Sequence, residues 1–318
     1  MSAMKERRVA AVDCGTNSIR LLVAERHESG LTYLARRSEI VRLGQGVDVS
    51  GRIADEAMTR TLLVTREYAQ ICREHDVDAV RFVATSASRD ASNAAEFTDG
   101  VRQAFAAFDY DVTPEVVSGL EEASLSFTGA VAGLGADVEG PYLVVDLGGG
   151  STELVRGTRD VEQSISLDIG SVRLTERHLR SDPPTEVEID AALADVRAAL
   201  DEAERAVDLT EVRTLVGLAG SITTVTAHAL DLPAYDSSRI HGARLTTDAI
   251  IASCDAIVGA SRAERSAMGF MHPGRVDVIG AGALIWRVVV ERVVERAGIG
   301  TSVTSESDIL DGIAMSLI

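Results

Sequence analysis

The sequence predicts an α/β protein of two related domains, and three observations predict it. A short pattern of acid, glycine and hydroxyl residues occurs twice, 133 positions apart, each time between apolar stretches. Each half opens with strands and continues with alternating strand and helix, the order of an α/β layer architecture. The chain has 318 residues, enough for two domains with substantial cores at ~150 residues per domain.

The repeat comes first. Residues 144–154 read VVDLGGGSTEL and residues 9–23 read VAAVDCGTNSIRLLV. Setting Asp13 on Asp146 aligns Gly15 with Gly148, Ser18 with Ser151 and Leu21 with Leu154, giving D-x-G-x-x-S-x-(R/E)-L. Apolar residues resume at once after each turn, so both copies read as strand, tight turn, strand.

In the first half, strands are expected over 8–13, 19–25 and 31–43, a helix over 55–75 and a strand over 78–85. Ser88 is expected to cap a helix running through 89–108. A strand at 113–117 then leads into a helix over 118–134. The second half predicts hairpins over 142–167, helices near 185–206, and a strand at 212–220 entering a helix at 221–230. An interrupted long helix follows over 273–298, then a strand at 300–305 and a helix at 306–318. The junction is expected within 118–140. That gives an N-terminal domain over 1–125 and a C-terminal domain over 126–304, with 305–318 packing back on the first.

Composition excludes several function classes. The 31 basic and 49 acidic residues leave a net charge of −18, and binding to a nucleic-acid backbone needs a basic face. No stretch reaches the ~20 apolar residues of a membrane helix. The N-terminal residues MSAMKERRVAAVD pass directly into a strand, which leaves no room for a signal peptide. Cys14, Cys72 and Cys254 form neither a paired framework nor a metal-ligand cluster, so a cytoplasmic protein is expected. Lys5 is the only lysine, so no G-x-x-x-x-G-K-(S/T) loop exists, and a dinucleotide G-x-G-x-x-G is absent.

The repeated turns suggest phosphate chemistry. Gly148, Gly149 and Gly150 carry no side chains, so their backbone N–H groups can approach an anion closely. Thr16, Ser18, Ser151 and Thr152 add hydroxyl donors, and Asn17 suits a tight turn. An acid in such a turn repels phosphate unless a divalent cation lies between them. Asp146 and Glu153 are therefore candidate ligands for a hard, oxygen-preferring ion such as Mg²⁺. Residues 83–93, VATSASRDASN, end a strand in small hydroxyl residues and bring Arg89 to a helix start, a second anion signal. Arg20 is a further phosphate candidate, and Arg42 a weaker one. Glu121 and Glu122 stand in the first turn of a helix, where the dipole favours acids without any function. Placed beside a phosphate, one of them could take a proton from attacking water.

Together, DCGTNSIRLLV (13–23), VATSASRDASN (83–93), SGLEEA (118–123), DLGGGSTEL (146–154), DIGSVRLTE (168–176), GLAGSITT (217–224) and HPGRVDVIGAG (272–282) resemble the exopolyphosphatase and guanosine pentaphosphate phosphohydrolase family. They run in that family's order over nearly the whole length. The resemblance implies the actin-like ATPase superfamily fold, two ribonuclease H-like domains flanking a cleft. It implies Mg²⁺-dependent release of orthophosphate from the end of inorganic polyphosphate, with guanosine pentaphosphate as the alternative substrate. By the same resemblance Glu122, ahead of Glu121, is the catalytic base and Asp146 and Glu153 are the metal-site acids. Asn17, Ser18, Arg89, Gly148, Gly149 and Ser151 become the phosphate contacts, and a homodimer is expected. Longer members carry extra C-terminal domains that this sequence lacks, so a weaker grip on very long polymers is expected.

Two other classes remain open at this point. A kinase of the same superfamily would need a nucleotide pocket near Gly217–Thr224. A non-catalytic sensor would bind a phosphate ligand without turnover. The acidic total charge opposes long-range steering of a polyanion, so local arginines and Mg²⁺ must dominate at the site.

Overall fold

The computed structural model of the protein describes residues 7–27 and 30–318. The expectation about the extreme N-terminus rests on residues 1–6, outside those described. The chain divides into two compact units, residues 1–125 with 309–318, and residues 126–308.

Unit 1 is built on β1 (Arg8–Cys14), β2 (Ser18–His27) and β3 (Gly30–Ile40), an antiparallel meander. Next come α1 (Val47–Ser50), α2 (Asp55–Glu74), β4 (Ala79–Ala84), α3 (Ser86–Asp90), α4 (Ala94–Ala106), β5 (Glu115–Val116) and the start of α5 (Gly119–Gly133). The sheet order is β3-β2-β1-β4-β5, with β4 and β5 joining parallel. β1 is buried on both faces because side chains alternate across the sheet. Val12 and Cys14 pack with Phe82, Phe97 and Phe105 on one side. Val9 and Ala11 pack with Leu125, Leu310 and Ile313 on the other.

Unit 2 repeats the plan. It contains β6 (Tyr142–Leu147), β7 (Thr152–Gly157), β8 (Val161–Leu167), α6 (Ser171–His178), α7 (Glu186–Ala203), β9 (Thr214–Leu218) and α8 (Ala219–Ala229). α9 (Ser237–Ile240), β10 (Arg244–Thr246), α10 (Thr247–Gly259), α11 (Arg262–Ala267), a 3₁₀ turn at Pro273–Arg275, α12 (Ile279–Ala297) and β11 (Thr301–Thr304) complete it. The order is β10-β11-β9-β6-β7-β8. Read from β8, the first five strands reproduce unit 1: a meander, then parallel strands added beside its first member. Trp286 of α12 is 1% exposed in the core. The final helix α13 (Ile309–Met315) belongs to unit 1. It packs on β1 and β2, and its buried Asp311 accepts hydrogen bonds from Tyr33 Oη and, at 3.3 Å, Arg36 Nη1. Both units thus share one strand order, an antiparallel meander extended by parallel strands beside its first member.

The structure corrects three expected elements. β3 ends at Ile40, not at 43, because Arg42 takes a left-handed backbone (φ 51°) and residues 41–44 turn back onto the first glycine turn. Ser88 is no helix cap: it lies inside α3, and its Oγ is buried without a partner. α4 starts six residues later, after Asn93, whose side chain instead bonds the backbone of Ile53. The third correction is α10, which periodicity alone did not mark; Thr246 caps it by accepting from the Ala249 N–H.

Candidate active site

The two copies of the repeated motif form the same turn. The Gly15 N–H donates to Ser18 O at 2.9 Å, and the Gly148 N–H donates to Ser151 O at 3.0 Å. This differs from the expectation for Gly148, because its N–H closes the turn instead of facing an anion. The hairpin register then sets what lies beside each acid. In an antiparallel pair, directly opposed residues share a face and their side chains meet. Asp13 is opposite Arg20, and Asp146 is opposite Glu153.

In unit 1 the opposed pair is an ion pair. Arg20 Nε and Nη2 donate to Asp13 Oδ2 at 3.0 and 2.7 Å, and Asp13 is 4% exposed. The structure thus places the Arg20 fork on Asp13. Cys14, next in the chain, is fully buried; burial first and the Asp13 charge second push its thiol well above the usual range, so it stays protonated. Thr16 and Ser86 share a 2.7 Å hydroxyl hydrogen bond that joins this turn to the β4–α3 junction. Asn17 Oδ1 is buried without a partner, while the Asn17 carbonyl accepts from the Val41 and Arg42 N–H groups.

Arg89, at the end of α3, reaches the start of α5. Its Nη1 donates to Val117 O at 2.9 Å and to Glu122 Oε2 at 2.8 Å. Successive helical residues point ~100° apart, so the two glutamates diverge. Glu122 is 9% exposed and paired with Arg89, whereas Glu121 is exposed and takes Arg81 Nη2 at 2.8 Å. Arg81 also holds Glu115 and donates to Ser316 Oγ, which makes the Glu121 side a surface network. Glu122 and Arg89 are therefore brought together, and Glu121 is separated from them.

In unit 2 the opposed pair is two carboxylates, Asp146 and Glu153, both almost fully buried. Ser126 Oγ donates to Asp146 Oδ2 at 2.5 Å, and Ser166 Oγ donates to Glu153 Oε1 at 2.7 Å. Neither serine was singled out from sequence. Ser166 had a signal, since it faces Glu153 in the β7–β8 register; Ser126 had none, because helix docking sets it. Among the described residues no cluster of three metal-ligating side chains occurs. Two buried like charges side by side are costly unless a cation neutralises them. Carboxylate oxygens are also the donors Mg²⁺ prefers, with water and substrate oxygens filling the rest of its shell. The donor set fits that ion.

Behind this turn the chain returns as residues 168–173. Thr152 Oγ1 donates to Ile169 O at 2.7 Å, and the first N–H groups of α6 donate to the carbonyls of Gly148 and Gly149. The GLAGSITT segment forms the β9–α8 junction, where Ala219 is left-handed (φ 67°). Arg275 Nη1 donates to Gly220 O at 2.9 Å, and its guanidinium lies so close that a Cβ on Gly220 would come within 1.9 Å of Cζ. The Arg275 side chain therefore packs against the Gly220 backbone at this junction.

The sequence profile of the Ppx/GppA phosphatase family matches residues 22–317. Exopolyphosphatase 2 of Mycobacterium tuberculosis is 48% identical over 314 residues, 98% of this chain and 98% of that protein. The crystal structure of an exopolyphosphatase-like protein superposes with a TM-score of 0.94 at 45% identity, covering 99% of this chain and 98% of that one. The Aquifex aeolicus PPX-GPPA enzyme superposes with a TM-score of 0.80 at 32% identity, covering 98% and 99%.

Proposed function

The chain belongs to the Ppx/GppA phosphatase family, and from that premise we propose that it is an exopolyphosphatase, hydrolysing the terminal phosphoanhydride of inorganic polyphosphate to orthophosphate. One observation carries the reading to particular residues: two buried carboxylates, Asp146 and Glu153, stand side by side next to a glycine turn. Asp146 and Glu153 would hold Mg²⁺, with Ser126 and Ser166 fixing their orientation. The ion, when bound, would neutralise charge on the phosphoryl oxygens and polarise the phosphorus.

Glu122 is the base of this reading. Its ion pair with Arg89 fixes its direction, so that it can accept a proton from the attacking water. Arg89 Nη1 serves Glu122 and Val117, and the remaining donors of its planar fork suit the transferring phosphoryl group. The turn amides and the hydroxyls of Ser18, in unit 1, and of Ser151, in unit 2, are further candidate phosphate contacts.

Polyphosphate is favoured over guanosine pentaphosphate by the name of the 48% identical relative. No helix among the described residues is long and apolar enough to cross a membrane. Cytoplasmic location and a homodimer belong to the same proposal, the latter tested by light scattering during size exclusion.

Glu122→Gln tests the mechanism. Orthophosphate release should fall by a factor of about 10²–10⁴, the range for losing a general base, while polyphosphate binding is retained. Glu121→Gln should stay near wild type. Equal losses in the two variants, or an active Glu122→Gln enzyme, would refute the assignment. Rates on polyphosphates of defined length beside guanosine pentaphosphate, at matched magnesium, decide the substrate.

A further inference from the structure

We infer that the N-terminus of α6 sets the polarity of the glycine turn, and that Gly170 is the positioning residue that lets it do so. This rests on the proposed phosphate role of the turn.

The geometry is one of peptide planes. A trans peptide points its N–H opposite to its C=O. The Ser171 N–H donates to Gly148 O at 3.0 Å, so the N–H of the same peptide, that of Gly149, points away from α6. The Val172 and Arg173 N–H groups donate to Gly149 O at 2.8 and 3.1 Å, so the Gly150 N–H also points away from α6. The Gly148 N–H remains committed to Ser151 O. Of the three consecutive amides, two are therefore presented by α6 and one closes the turn. The carbonyls, which would repel an anion, are held on the helix side.

This docking needs the backbone of residue 170 against that of 149–150. A Cβ on Gly170 would lie 2.5 Å from both Gly149 C and Gly149 O and 2.6 Å from Gly150 N. These are backbone atoms, which have no rotamer by which to yield. Gly170 itself is extended (φ −159°, ψ 167°), so any residue could adopt its conformation, and the close approach alone requires glycine. Unit 1 shows a related arrangement one position further along the turn, with the close contact made to a side chain. Gly44 N–H donates to Thr16 O, the Val41 and Arg42 N–H groups donate to Asn17 O, and a Cβ on Gly44 would meet Thr16 Cγ2 at 2.4 Å. In both units the segment after the third strand pins the turn's carbonyls from behind.

Two measurements test this. In the wild-type protein, titration with inorganic phosphate in the presence of magnesium should move the amide protons of Gly149 and Gly150 downfield and leave Gly148 in place. Gly148 moving with them, or Gly149 and Gly150 staying still, overturns the inference. Gly170→Ala should lower kcat on polyphosphate about a hundredfold, as for a lost oxyanion donor. It should also abolish the phosphate-induced amide shifts while cooperative thermal unfolding persists. A variant with wild-type kcat, KM and shifts overturns the inference. If Gly170→Ala does not fold, the wild-type amide shifts decide. A wild-type enzyme that releases no orthophosphate sinks the functional reading instead, leaving the amide test standing.

Discussion

The two repeated turns share their closing hydrogen bond and differ in the residue that stands opposite the acid. Each is closed by the same hydrogen bond, from the glycine N–H to the carbonyl of the serine three residues on. Each presents an acid, and opposite that acid stands Arg20 in unit 1 but Glu153 in unit 2. The first acid is neutralised internally by a guanidinium 2.7 Å away. The second is faced by another carboxylate, which adds to its charge instead of neutralising it. The residue opposite the acid thus distinguishes an internally paired turn from a candidate metal site. The lesson is electrostatic: an acid beside glycines says little until its cross-strand neighbour is known.

The comparison breaks most sharply at that neighbour. Glu153→Gln should reduce magnesium-dependent orthophosphate release at least about a hundredfold, since the ion is credited with several kcal/mol. It should also raise the magnesium concentration for half-maximal rate. Arg20→Gln should instead lower stability by about 2 kcal/mol, between the values for exposed and buried pairs, and leave magnesium half-saturation unchanged. Urea unfolding beside magnesium titration checks both. A shift in magnesium dependence for Arg20→Gln would show that the turns are not divided in this way.

A smaller contrast lies in the long helices that flank the sheets. α7 has a full capping box, in which Thr185 Oγ1 accepts the Glu188 N–H and Glu188 accepts the Thr185 N–H. α2 begins at exposed Ala54 with no side-chain cap. Ala54→Ser should therefore stabilise unit 1 by about 1 kcal/mol, read as a higher Tm. An unchanged or lower Tm would mean that the first turn of α2 is satisfied in another way.

The least effect concerns pH. The Thr185 N–H, ahead of its other donors, lowers the Glu188 pKa from 4.5 to about 2. A carboxylate with a depressed native pKa stabilises fully above its unfolded value and loses that contribution as pH falls through the native one. Wild type should therefore lose stability relative to Glu188→Gln between about pH 4.5 and pH 2, and run parallel to it above. Parallel curves throughout that window would remove Glu188 from the account.

Much of the site was legible because hairpin register is arithmetic. With the turn closed between Gly15 and Ser18, or between Gly148 and Ser151, the opposed partners of Asp13 and Asp146 follow by counting. The Asp13–Arg20 ion pair was therefore within reach of the sequence, although Arg20 reads first as a phosphate ligand. The divergence of Glu121 and Glu122 was also implied by the helical rotation between neighbours. Which of them turns inward was not, because Arg89 and Arg81 come from α3 and β4.

By itself, then, the sequence determined the duplication, the alternation of strands and helices, and the residue types gathered at each turn, since these depend on local spacing and side-chain chemistry. Tertiary structure alone decided what lies behind each turn. Residues 41–44 and 168–173 carry ordinary loop and helix-start signals, and only packing shows that their N–H groups hold the turns' carbonyls. The physical reason is that hydrogen bonds between distant backbone segments leave no mark on residue type, except where two segments come so close that only glycine fits, as at Gly170.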